Sequence, residues 1–170
     1  MTLRKIVTLP EPVLRRKARP VTDFGPTLQT LVDDMIETMR QAPGVGLAAP
    51  QVGISDRLIV VEYFVNDELE DSPRKLYVVV NPEITAQSEE TELGIEGCLS
   101  LPGLQGDVER VLAVTVKGRT RRNQPIRIKA KGWLARIFQH EIDHLEGVVF
   151  TDRATRVWKP APDEPILDNV

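Results

Sequence analysis

The chain has two histidines, and they bracket a glutamate in the run His140-Glu141-Ile142-Asp143-His144. On an α-helix each residue turns about 100°, so a step of four brings the second imidazole back over the first, about one turn along. Two imidazoles on one face can share a metal ion. Glu141, about 100° round the helix, stands within reach of a water on that ion. The chemistry this allows is hydrolytic, because a divalent cation lowers the pKa of water towards 7 and a neighbouring carboxylate can take the proton. The competing reading is a pair of surface histidines on an amphipathic helix.

Two imidazoles alone make a weak catalytic metal site, and three protein ligands with one water is the usual arrangement. With no further histidine, the third ligand is Cys98 or a carboxylate, Glu146 and Asp152 being the acids that follow the motif. Cys98 lies about forty residues upstream in Glu96-Gly97-Cys98-Leu99-Ser100, a distance that a strand and hairpin can close. Gly97 lets the backbone approach a crowded helix. A lone cysteine is ordinarily a buried, inert thiol. Beside a helix that lacks one ligand, the metal role is favoured.

Composition sets the outer limits. A chain of 170 residues suffices for one domain with a real core. Apolar residues make up 41% and charged residues 28%, as in ordinary globular proteins. A net charge of −3 gives no general pull towards nucleic acid or anionic membrane, and neither is expected as a partner. One cysteine cannot form an internal disulfide. No apolar run approaches the roughly 20 residues that cross a bilayer. Pro10 and Pro12 interrupt the start of the chain before any apolar secretory segment forms. A reducing cytoplasm is the expected location.

The elements that must position these residues are legible in part. Val13 to Lys17 allows one helical turn. Pro26 and Thr27 open a helix on which Leu28, Leu31, Val32, Met35, Ile36 and Met39 form an apolar stripe, stopped by Pro43 and Gly44. A small-residue loop, Gly44 to Gly53, follows. Arg57 to Phe64 reads as a strand, Asn66 to Arg74 as an exposed hairpin loop, and Leu76 to Val80 as a buried strand ended by Asn81-Pro82. Glu83 to Gln87, Val108 to Lys117 and Pro125 to Ala130 have strand character, with Gly118 to Asn123 a basic turn. Gly132 to Leu145 reads as the second long helix, with Gly147 at its C′ position. Residues from Thr155 to Val170 read as an extended strap or a partly disordered end. These elements predict an α+β fold. Its antiparallel β-sheets pack around a central metal-binding helix, with another long helix in the N-terminal third. The chain is expected to be a single catalytic domain over 1–170, its core about 3–153 and its C-terminal tail 154–170.

The runs Gly44-Val45-Gly46-Leu47-Ala48-Ala49-Pro50-Gln51, Glu96-Gly97-Cys98-Leu99-Ser100 and His140-Glu141-Ile142-Asp143-His144 together resemble the peptide deformylase family, in order and at compatible spacing. The likeness covers roughly residues 3 to 153. It implies Cys98, His140 and His144 as metal ligands, Glu141 as general base and acid, and Gln51 with the backbone N–H of Leu99 as oxyanion donors. The metal implied is ferrous iron, with zinc, nickel and cobalt as alternatives. The reaction implied is removal of the formyl group from N-formylmethionyl nascent polypeptides near the ribosome, releasing formate. The glycines of the first run allow a peptide to lie against bare backbone as an added strand, with Val45 and Gly46 as candidate contacts. Trp133 and Ile137, one to two turns before His140, are candidates for a methionine pocket. Asp143 is expected to pair with an arginine such as Arg110. Two features depart from the family pattern. Gln105 stands where many relatives carry an arginine, and the Pro-rich, acidic end does not match the basic terminal helix of some members. A zinc peptidase and a non-enzymatic metal module are the other readings. The second leaves Glu141 and Gln51 unexplained.

Overall fold

The structure, a computed structural model, describes residues 1–164. The remaining six positions, including Pro165 and Val170 of the expected tail, lie outside the described residues.

The first long helix, α1 (Pro26–Gln41), starts with Pro26 in its first turn, where a missing N–H costs nothing. Its apolar stripe is buried as the spacing predicts, with Val32, Met35 and Met39 fully enclosed. Strand β1 (Gly46–Ala48) and a 3-10 turn (Ala49–Val52) replace the irregular loop expected between Gly44 and Gly53. Gly53 ends that turn at φ 84°, a left-handed conformation that glycine adopts without strain.

Strand β2 (Leu58–Phe64) pairs antiparallel with β1 and with β3 (Arg74–Gln87). Its first four residues are buried on both faces. Leu58 and Val60 pack with α1, while Ile59 and Val61 pack with the second long helix, α2 (Gly132–Leu145). A strand covered on both sides reads as a continuous apolar run, and each such side chain contributes about 1.5–3 kcal/mol by leaving water. Strands β6 (Ala113–Arg119) and β7 (Pro125–Lys131) complete a five-stranded antiparallel sheet ordered β1-β2-β3-β6-β7. A second sheet holds β4 (Thr91–Gly97), β5 (Gln105–Val111) and β8 (Arg156–Trp158) in the order β4-β5-β8, again antiparallel. Helix α2 touches strands of both sheets, and a short helix, α3 (Phe150–Arg153), packs against β5. The expected α+β architecture around a central helix is what the structure shows.

Several expected boundaries move. The strand expected to stop at Asn81-Pro82 runs through it, as β3 bulges there instead of ending. Asn81 takes φ 52°, which asparagine tolerates, and its side chain makes two hydrogen bonds to the Val21 backbone at 2.8 and 2.9 Å. The stretch Val108 to Lys117 is two strands in different sheets. The chain crosses between them at Leu112, inside the unbroken apolar run Val111 to Val114, which hides the break. Strand β4 was not expected, because its apolar Leu93 and Ile95 face outward while Glu96 is buried, the reverse of the usual strand pattern. Of the strap expected after Thr155, residues 156–158 are extended and join β5 as β8. The turn expected at Val13 to Lys17 is a 3-10 turn over Pro12–Arg15.

Candidate metal centre

Helix α2 carries His140 and His144, and Gly147 sits at φ 74° just past its end, as its sequence position predicts. Tertiary packing rather than solvent holds the helix: Ile137, Phe138 and Leu145 are wholly buried, and so is Glu141. Cys98 follows β4 directly. Its sulfur and the two imidazoles place one ligand atom each within 4.8 Å of one another, all buried. Cys98 Sγ lies 3.4 Å from His144 Nε2. Glu146 and Asp152, the alternative third ligands, are engaged elsewhere. Glu146 pairs with Arg57 and Asp152 with Arg15, each at 2.6 Å.

The donor set fits a divalent metal. His140 Nε2 and both carboxylate oxygens of Glu141 are buried with no hydrogen-bond partner among the described residues, as is His144 Nδ1. Buried polar atoms are normally satisfied, so such a group of orphans around a thiol marks a place for a ligand. Burial, and next the Glu141 charge, push the Cys98 thiol far above its usual range. Burial likewise raises the Glu141 carboxyl and lowers the His144 imidazole. A cation among them would favour the thiolate and the neutral imidazoles.

Behind His140 stands a residue whose importance the sequence did not signal. Glu96, at the end of β4, is fully buried. Its Oε1 meets His140 Nδ1 at 2.8 Å and Arg110 Nη2 at 3.0 Å; its Oε2 accepts from Arg110 Nε at 3.0 Å and Arg136 Nη1 at 2.7 Å. Burial alone would raise this carboxyl, but the bonds from His140 and Arg110 hold it far below its usual range. A carboxylate only accepts, so Nδ1 of His140 carries the hydrogen and Nε2 is left with its lone pair towards the cluster. Arg110 also reaches Asp143 at 2.7 Å, as expected, and Arg153 holds the same carboxylate. The available signal was two arginines, at 110 and 136, on elements that flank a buried acid.

The remaining candidates fall as follows. Gln51 is buried. Its Oε1 accepts from Ala48 N–H at 3.0 Å, and its Nε2 points at Cys98 Sγ at 3.5 Å and Ser100 Oγ at 3.2 Å. Leu99 is next to the ligand Cys98, and its N–H makes no backbone hydrogen bond among the described residues. Gly46 lies against Glu141, so closely that a Cβ there would be 2.9 Å from Glu141 Cγ. Val45 is buried beside it. Trp133 lines a cavity of about 110 Å³ with Gly94, Arg110 and Arg136. Ile137 is wholly buried in the main core cluster and does not line that cavity.

A buried thiol, two imidazoles and an adjacent carboxylate on an α+β scaffold define a metallohydrolase. The family model described as polypeptide deformylase matches residues 3–159. A peptide deformylase of Symbiobacterium thermophilum is 50% identical over 163 residues, covering 96% of this chain and 72% of that protein. The crystal structure of peptide deformylase from Thermotoga maritima superposes with a TM-score of 0.82 at 41% identity, covering 92% of this chain and 100% of that one. A Met-Ala-Ser-bound class I type b peptide deformylase from Acinetobacter baumannii gives 0.82 at 41% identity, covering 89% and 98% respectively. The chain belongs to the polypeptide deformylase family. That membership supports removal of the N-formyl group from nascent peptides.

Proposed function

We propose that this centre hydrolyses the formamide of N-formylmethionyl nascent polypeptides and releases formate, with Glu141 moving the proton. The observation that carries the reading is an unpartnered, buried carboxylate beside a Cys98-His140-His144 cluster. When bound there, a divalent ion would make water acidic enough to ionise near neutral pH and would polarise the formyl oxygen.

The chain's own residues supply the rest. Glu141, whose carboxyl burial pushes upward, accepts the proton from water and later delivers it to the leaving amine. Gln51 is held by the Ala48 N–H with its amide towards the cluster, and it donates with the Leu99 N–H to the charge growing on the formyl oxygen. One such donor is typically worth about 10²–10³ in rate. Strand β1 pairs only with β2 among the described strands, so its other edge can take a peptide as an added strand along Val45 and Gly46. Trp133 and its small cavity suit the methionine side chain, and Ile137 supports that wall from the core. A neighbour that binds Met-Ala-Ser favours peptides of this kind as ligands.

One soft thiolate with two imidazoles suits ferrous iron, and zinc, nickel or cobalt would also find acceptable donors. The catalytic unit is the chain 1–170, with its core over about 3–153 and 154–170 as tail. It works in the cytoplasm, near the ribosome, without contacting nucleic acid. No helix among the described residues is long and apolar enough to cross a membrane.

The test is formate release from a formyl-Met dipeptide with the internal peptide bond intact. Glu141→Ala should keep stoichiometric metal and lose roughly 10²–10⁴ in turnover. Normal turnover in that variant would remove Glu141 from the chemistry. Cleavage of the internal bond instead would favour a peptidase.

A further inference from the structure

We propose that the C-terminal strap, residues 159–164, is one wall of the groove that receives the peptide chain beyond its first methionine, and that Glu164 gives that groove a preference for basic residues. This rests on the reading above, which places the formyl group at the Cys98-His140-His144 cluster.

The register of the smaller sheet brings the strap to the site. Gly97, Gln105 and Trp158 are level across its three strands, since Gly97 pairs with Gln105 and Gln105 with Trp158. Cys98 follows Gly97 at one edge, and Lys159 follows Trp158 at the other. Both chains therefore leave the sheet at the same end, with β5 between them. A cavity of about 360 Å³ opens there, with Cys98, Leu99 and Gln105 on one bank and Pro160, Pro162 and Glu164 on the other. It is larger than the space of about 110 Å³ at Trp133. A small space takes one side chain. A larger one that reaches the thiol itself suits the continuing polypeptide.

The strap is internally stiff. Pro160 and Pro162 each fix one backbone torsion, and the Glu164 N–H bonds the Ala161 carbonyl at 3.0 Å, closing a turn. A wall ordered before the ligand arrives loses little entropy on binding. Among the residues that line the cavity, Glu164 is the one that is charged; elsewhere in the strap Asp163 shares its sign and Lys159 opposes it. The charge at the cavity lining itself is therefore negative.

The experiment measures kcat/KM for formate release by the metal-loaded full-length chain. The substrates are formyl-Met-Ala, formyl-Met-Ala-Lys and formyl-Met-Ala-Glu. The wild-type chain should favour the lysine over the glutamate tripeptide by about two- to five-fold, the range an exposed charge pair provides. Glu164→Gln should level the two and Glu164→Lys should reverse them, each read as the lysine-to-glutamate ratio within one protein. Replacing Pro160 and Pro162 together by glycine should raise KM for both tripeptides by more than for formyl-Met-Ala, which fills less of the groove. Equal tripeptide ratios in wild type and Glu164→Lys, with formate still released, would overturn the strap proposal alone. Absence of formate from every peptide would overturn the deformylase reading and the strap with it.

Discussion

Replacing Glu96 by glutamine removes one charge and adds one N–H, and the geometry makes both changes expensive. Each carboxylate oxygen faces two donors: Oε1 faces His140 Nδ1 and Arg110 Nη2, and Oε2 faces Arg110 Nε and Arg136 Nη1. If the new amide nitrogen takes the Oε2 place, its hydrogens abut two guanidinium groups. If it takes the Oε1 place, His140 must turn Nδ1 into an acceptor, which protonates Nε2 and removes it from the ligand set. Arg110 and Arg136 also lose their buried counter-charge. Arg110 keeps Asp143, and Arg136 keeps the carbonyls of Val108 and Glu92. Breaking a buried pair from one side typically costs about 3–5 kcal/mol, and these residual partners place Glu96→Gln towards the lower end. At roughly 2–4 °C per kcal/mol for a chain of this size, a cost of about 3 kcal/mol lowers the melting temperature by about 6–12 °C. Metal affinity should weaken by roughly 10–100-fold, the usual effect of losing the group that orients a ligating histidine. Calorimetry and a competitive titration against a chromophoric chelator read the two effects separately. Arg136→Met is the control, since it should lower stability and leave the His140–Glu96 contact in place. A melting temperature within about 2 °C of wild type and metal affinity within about two-fold would refute the reasoning.

Two further expectations concern other parts of the molecule. Gly46→Ala should push Glu141 aside by a few tenths of an ångström and lower kcat roughly ten-fold at full metal content; an unchanged kcat would mean that Glu141 has room to move. The Asp34 carboxyl is held below its usual range chiefly by the Thr2 N–H, and by Arg4 against the opposing effect of burial. A depressed carboxyl contributes stability that is fully present above its unfolded pKa near 4 and is lost as pH falls through its lower folded value. Protection of the Thr2 amide relative to its intrinsic exchange rate should therefore fall selectively below about pH 4, and Asp34→Asn should show the lost protection at neutral pH.

Sequence order exposed the chemistry better than the scaffold. The ligand spacing on α2 follows from helix geometry alone, so His140, His144 and Glu141 were visible at once. Cys98 followed from an incomplete ligand set. The stripe on α1 and the buried run Leu58 to Val61 were equally plain, because their period or continuity comes from packing against one partner or two. What stayed hidden depended on contacts distant in sequence. Glu96 looks like any surface acid until Arg110 and Arg136 arrive from β5 and α2. Leu112 marks a change of sheet inside an unbroken apolar run. Asn81 reads as a strand end because its left-handed conformation is common in turns, whereas here the Val21 backbone holds it inside a bulged strand.

X-ray absorption at the metal edge of the anaerobically purified protein tests the central assignment most directly. One sulfur near 2.3 Å and two imidazole nitrogens near 2.0–2.1 Å, distances typical of zinc-type sites, should surround each ion. A first coordination sphere without sulfur, at stoichiometric metal and full formate release, would contradict Cys98 as the ligand that joins the smaller sheet to the helix.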